Sequence, residues 1–168
     1  MKLHSGVPII TKWGEILKKE CENLNIQSND MKCGDGFQNL LDRIEKHDGN
    51  IEQQAQTAFE NYLGDCFAIY QIKLDRELYA KFAFQSYATI TADGHSPKRS
   101  IYNLVYAAAV HKRITPEDIF YIFNMEQPAD YRGHSLSVSD VVAIKEDGQV
   151  TYYYCDCIGF KMIPGFLG

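Results

Sequence analysis

Apolar residues follow two different spacings along this chain, and the change falls at Gly64. Before it they recur in steps of three and four, the repeat of an amphipathic helix. Trp13, Ile16, Leu17, Cys21 and Leu24 form one stripe in a helix expected from Thr11 to Leu24, with Lys18, Lys19, Glu20 and Glu22 on its wet side. Phe37, Leu40, Leu41 and Ile44 form a second over Phe37 to Lys46, closed by Asp48-Gly49-Asn50, where glycine permits a left-handed exit. Ile51, Ala55, Ala58, Phe59 and Tyr62 form a third over Ile51 to Leu63. After Gly64 the repeat becomes that of a strand. Cys66 to Lys73 alternates aromatic and β-branched residues. Glu77 to Ile90 fits neither repeat and divides between a turn and a helical turn, ahead of a break at Ala92-Asp93-Gly94. Tyr102 to Val110 is apolar enough for a buried strand, although Ala107-Ala108-Ala109 would equally suit a helix. At Thr115-Pro116-Glu117-Asp118 a helix begins: threonine caps, proline takes the first turn, and two acids favour the positive end of the dipole. It should run to about Asn124 with Ile119, Phe120, Ile122 and Phe123 inward. Ser137 to Lys145 and Val150 to Ile158 read as a hairpin around Asp147-Gly148, a pair suited to a type I′ turn. A bend at Gly159 leads to a last strand, Phe160 to Ile163. The expectation is an α+β fold: an antiparallel sheet with a packed helix over residues 65–168, preceded by a three-helix N-terminal segment, residues 1–64.

Composition narrows the function classes. The 168 residues carry 17 basic and 22 acidic side chains, a formal charge of -5. Residues 1–64 hold 7 basic and 10 acidic groups and residues 65–168 hold 10 and 12, so neither part has the basic footprint of a nucleic-acid binder. Sequence-specific nucleic-acid binding is therefore not expected. No apolar run is long enough for a membrane helix or a signal peptide, so a cytoplasmic protein without membrane association is the expectation. Five unevenly spaced cysteines then read as reduced thiols, mostly buried. Eleven tyrosines and nine phenylalanines, concentrated after Phe67, place the denser core in the second part.

Three strings carry a family likeness. They are Gly133-His134-Ser135-Leu136-Ser137-Val138-Ser139-Asp140-Val141-Val142, Tyr154-Cys155-Asp156-Cys157-Ile158-Gly159-Phe160 and Ile163-Pro164-Gly165-Phe166-Leu167. With Tyr70-Gln71-Ile72-Lys73, Tyr102-Asn103-Leu104-Val105-Tyr106 and the stretch from Phe123 to Tyr131, they make residues 65–168 resemble the YodL-like domain. The resemblance implies a domain widespread in Gram-positive bacteria, often on conjugative elements, plasmids and prophages. It carries no catalytic residue over. The family usually reads aspartate, any residue, hydrophobic or aromatic, glycine, phenylalanine where this chain has Asp156 to Phe160; the flanking Cys155 and Cys157 are departures.

The chemistry-bearing residues have plainer explanations. His134, Ser135 and Asp140 suggest a triad, but neighbouring residues on an extended chain point apart and no glycine elbow accompanies them. Gly133 turning the chain, with the hydroxyls and Asp140 tying down loop backbone, accounts for the pattern. Cys155 and Cys157 would share one strand face, two thiols short of a zinc site, so no metal and no cofactor is expected. Asp156, Gly159 and Phe160 read as structural. On a strand Tyr152 and Tyr154 share a face and Tyr153 takes the other, so at least one tyrosine of this run should reach the surface as an interface anchor. Glu15, Glu22, Asp42 and Glu45 are the carboxylates that could oppose a partner's basic groove. These readings lead to a non-enzymatic accessory protein that binds a host protein. A CRISPR or restriction nuclease complex is the expected target, blocked by an anti-CRISPR or anti-restriction inhibitor. The alternatives are a module that binds a host cytoskeletal or envelope protein, and an enzyme acting on nucleic acid or nucleotides through His134 and Asp140.

Overall fold

A computed structural model describes residues 10–12, 56, 59–110, 112–129, 131 and 133–168. Six strands form one sheet: β1 (Ile10–Lys12), β2 (Cys66–Ile72), β3 (Tyr102–Val110), β4 (Val141–Glu146), β5 (Gln149–Cys155) and β6 (Phe160–Met162). Their order is β1-β3-β2-β4-β5-β6, and every pairing is antiparallel. Among the described residues three α-helices have both ends defined, α1 (Arg76–Phe82), α2 (Tyr87–Ala92) and α3 (Pro116–Met125), and residues 59–61 are also helical. Each of α1, α2 and α3 has its start written locally. Asp75 accepts from the Glu77 and Leu78 N–H groups, Ser86 from Thr89, and Thr115 exchanges bonds with Asp118 in a capping box.

The sheet is covered on both faces. On one, α1, α2 and Phe59 pack against Cys66, Ala68, Tyr70, Tyr102, Leu104, Val141, Tyr152 and Tyr154. On the other, Ile119 and Phe123 of α3, with Tyr131 and Leu136, pack against Phe67, Ile69, Tyr106, Val142 and Ile144. Double coverage explains why all seven residues of β2 are buried where a one-sided antiparallel strand would alternate. The β2–β3 register skips Val105 between Leu104 and Tyr106, so β3 bulges there and the face parity switches: Tyr102 and Leu104 share the first face with Ala107 and Ala109, while Tyr106 and Ala108 take the second. Small side chains at Ala107, Ala108 and Ala109 let the layers close over this strand, which settles it as strand rather than helix.

Two contacts tie distant segments to the sheet. Phe166 sits among the rings of Tyr70, Tyr102 and Tyr152, at centroid distances of 5.2, 5.4 and 4.9 Å. The buried Lys145 ammonium donates to the carbonyls of Phe59, Glu60 and Tyr62 at 3.4, 2.5 and 2.6 Å. Those carbonyls close the helical turn containing residues 59–61, so a cation stands at the negative end of that helix.

Several boundaries differ from the sequence expectation. Thr11 and Lys12, expected to open the first helix, pair together with Ile10 against β3 as an edge strand. The remaining residues of the first helix and all of the second, with Glu15, Glu22, Asp42 and Glu45, lie outside the described residues; of the third, Gln56 and residues 59–61 are helical. Glu77 to Ile90 resolves into α1 and α2. The strand expected from Ser137 starts only at Val141, because Ser139 takes a left-handed conformation (φ 84°). The return strand ends at Cys155 rather than Ile158, which stands 95% exposed in the following turn. The hairpin itself is as expected, with Asp147 and Gly148 both left-handed at φ 49° and 78°.

Candidate functional site

Most of the tyrosine run does not reach the surface. Tyr152 and Tyr154 are buried among the aromatic residues of the first face, and Tyr153 is half-buried against the second. The expectation of an exposed anchor on Tyr152 or Tyr154 is corrected by the double coverage of the sheet. Burial pushes the Tyr152 hydroxyl up to about 12.

Gln71, a lone amide in an otherwise apolar strand, organises the segment after α3. Its side-chain nitrogen lies 3.2 Å from Tyr131 Oη, 2.9 Å from the His134 carbonyl, 3.1 Å from His134 Nδ1 and 3.1 Å from Asp140 Oδ2. Two hydrogens therefore serve four neighbours. Tyr131 donates to the His134 carbonyl, and Asp140 also accepts from Ser137 N–H at 2.9 Å. Gly133 is required here: a Cβ would stand 2.5 Å from Tyr131 Oη and 2.8 Å from Gln71 Oε1. Burial raises Asp140 to about 7, against the lowering effects of the His134 charge, the Ser137 N–H and the Gln71 amide. The imidazole stands 3.8 Å from the carboxylate, so burial outweighs this long ion-pair geometry. No serine or cysteine is hydrogen-bonded to the imidazole among the described residues, and Ser135 meets it through its carbonyl. Gly133, His134, Ser135 and Asp140, read from the sequence as a loop motif, all stand in or beside this network.

Asp140 and Ser139 lead from this network to a second feature. Ser139 donates its N–H to the Cys155 carbonyl, accepts Tyr102 Oη on its own carbonyl, and offers its hydroxyl oxygen to the N–H of Phe84 at 3.1 Å. Phe84 is itself left-handed (φ 60°) and 59% exposed. A bulky residue in that region costs about 1–2 kcal/mol, which the Ser139 contact helps to hold. Asp156 accepts from Tyr87 N–H and Cys157 N–H, its own N–H donates to the Gly159 carbonyl, and Gly159 is left-handed at φ 68°. The Asp156-to-Phe160 string is thus a tight turn pinned to α2, with Ile158 at its tip. It also sends Cys157 to the surface and leaves Cys155 inside, so the two thiols do not share a buried face. Burial and then the nearby Asp140 and Asp156 carboxylates push the Cys155 thiol up to about 12, which leaves it protonated and unreactive at neutral pH.

Between these two features and α3 runs an open groove of about 510 Å³. Phe84, Phe120, Leu136, Val138 and Phe160 supply its apolar wall, Glu117 and Asp156 its charge, and among the described residues no lysine or arginine lines it. Phe120, expected inward, is 40% exposed and stacks edge-on with Phe160 at 6.2 Å. Ile119 and Phe123 are buried against the sheet with Ile122 packed partly beside them, which leaves Phe120 for the groove. Phe84 and Ser139 were not legible as site residues; the signal that could have found the cluster was Gln71 in its apolar strand.

The fold and groove define a doubly covered α+β sheet domain with an aromatic cleft at the end of its last hairpin. The chain matches the family model of the YodL-like domain over residues 66–166, and it belongs to that family. No curated protein and no solved structure matches it. No helix among the described residues is long and apolar enough to cross a membrane.

Proposed function

We propose that the chain works by binding another protein through the face formed by Phe84, Phe120, Ile158 and Phe160, without catalysis. The observation that carries this reading is Phe84, an exposed aromatic held in a costly backbone conformation beside a tight turn that presents Ile158. Exposed aromatic and aliphatic side chains around a concave surface are the usual anchors of a protein interface. As the target we propose a nuclease effector of host anti-DNA defence, inhibited stoichiometrically. That choice follows from the mobile-element setting implied by the family resemblance, together with the acidic groove and the mild acidity of the chain. Purified protein should lower target cleavage by a host-matched nuclease complex and shift its mobility, and a Phe120→Ser, Ile158→Ser double variant should do neither. If stoichiometric protein leaves cleavage and mobility unchanged across several such complexes, the nuclease target is wrong. A shape defect on expression in a bacillus would then direct the search to a cytoskeletal or envelope partner.

One observation favours an enzymatic second reading: the buried Asp140, raised to about 7, lies beside the partly exposed His134. A His134→Ala, Asp140→Asn variant that folds but loses an activity on nucleic acid or nucleotides would support it; retained inhibition by that variant would count against it.

A further inference from the structure

The binding reading leaves open how a partner engages the groove, and strand β6 bears on that. Its register with β5 places Tyr154 opposite Lys161, while Ile163 N–H donates to the Tyr152 carbonyl and Asp156 N–H to the Gly159 carbonyl. Residues 159, 161 and 163 therefore turn their main-chain groups toward β5, and Phe160 and Met162 turn theirs outward. Among the described residues neither main chain finds a hydrogen-bond partner on that side, and β6 ends the sheet. The side chains of Phe160 and Met162 lie on the sheet face that the groove occupies; Phe160 forms its wall and Met162 is 63% exposed. On the opposite face Lys161 covers the Tyr87 ring. An open edge and an apolar cleft with an acidic lining thus meet at one strand.

We infer that β6 accepts an extended segment of a partner protein as a seventh strand, which inserts a large apolar side chain into the groove and sets a lysine or arginine toward Glu117. This rests on the groove being the contact surface. Main-chain bonds from Phe160 and Met162 fix the segment, and the pocket selects its side chains, as in other cases of strand addition. Because alternate residues of a strand share a face, the apolar and basic residues stand two apart. Glu117 and Asp156 supply the charge preference, with no cation in the lining among the described residues to oppose it.

Random heptapeptides displayed on phage and selected on the immobilised 168-residue chain test this. Enriched sequences should share an apolar residue with lysine or arginine two positions away. A synthetic peptide of that sequence should lose at least tenfold in affinity to Met162→Pro, which removes an outward N–H and leaves the β5 ladder intact. Circular dichroism and thermal unfolding check that variant. Should it fail to fold, peptides N-methylated at alternate residues replace it, and binding should fall in one alternation only. No enrichment, or enriched peptides that bind Met162→Pro as tightly as the parent chain or tolerate both methylation patterns, would overturn strand addition. So would a dimer of this chain that Met162→Pro dissociates, since the edge would then serve a second copy. If Phe120→Ser, Ile158→Ser abolishes partner binding while Met162→Pro preserves it, the groove stands and edge pairing falls; if no protein is bound at all, the binding reading itself falls.

Discussion

Replacing Asp140 by asparagine should remove one slope from the dependence of stability on pH. The carboxyl is 1% exposed, and burial raises it from an ordinary 3.8 to about 7 in the folded chain. Between those values the folded state keeps a proton that the unfolded state has lost. The contribution is fully present below pH 3.8 and disappears as pH rises through about 7. The interval is about 3 pH units, and at about 1.4 kcal/mol per unit it amounts to about 4 kcal/mol. Asparagine keeps an oxygen for the Ser137 N–H and cannot titrate. Urea unfolding of both proteins at half-unit steps from pH 4 to pH 8, followed by far-ultraviolet circular dichroism, gives the difference curve in which titrating groups that do not interact with Asp140 cancel, leaving Asp140 and its interaction with His134. The parent chain should lose up to about 4 kcal/mol relative to Asp140→Asn across that range, most of it by pH 7. A flat difference would refute the reasoning, because it would mean that Asp140 ionises alike in both states. A parent chain gaining stability with pH would show that His134, Ser137 and Gln71 outweigh burial.

Other consequences follow from named contacts. Gly133→Ala should cost about 1–3 kcal/mol by forcing Tyr131 and Gln71 apart, a drop of several degrees in thermal midpoint; an unchanged midpoint would mean that the Tyr131 ring gives way freely. Lys145→Met keeps the stem but removes the ammonium that donates to three carbonyls, so urea unfolding should show a loss of about 2–3 kcal/mol and hydrogen exchange should accelerate first at residues 59–62. Phe166→Ala empties the space among three tyrosine rings and should cost about 3–5 kcal/mol by urea unfolding; a loss under about 1 kcal/mol would mean that the rings close over the space.

What the sequence determined by itself are the features set by neighbouring residues. The α3 start is legible because Thr115, Pro116 and Asp118 supply cap, backbone angle and reciprocal bond within four positions. Asp147-Gly148 is legible because a two-residue hairpin demands left-handed angles that this pair accepts cheaply. The strands at Cys66 and Tyr102 and the family membership were likewise readable along the chain. Tertiary structure decided whatever depends on what covers a residue. Which of the tyrosines at 152, 153 and 154 reaches the surface is open along the chain until α1, α2 and Phe166 close over Tyr152 and Tyr154. Phe120 looks like core until Ile119, Ile122 and Phe123 take the sheet side of α3. The Asp140 carboxyl, the left-handed Phe84 and the groove between them depend on bonds between residues 55 or more positions apart. Local pattern fixes backbone shape because turns, caps and pleats are short-range; exposure and ionisation are set by packing between distant segments, and one chain's pattern does not say which segments meet.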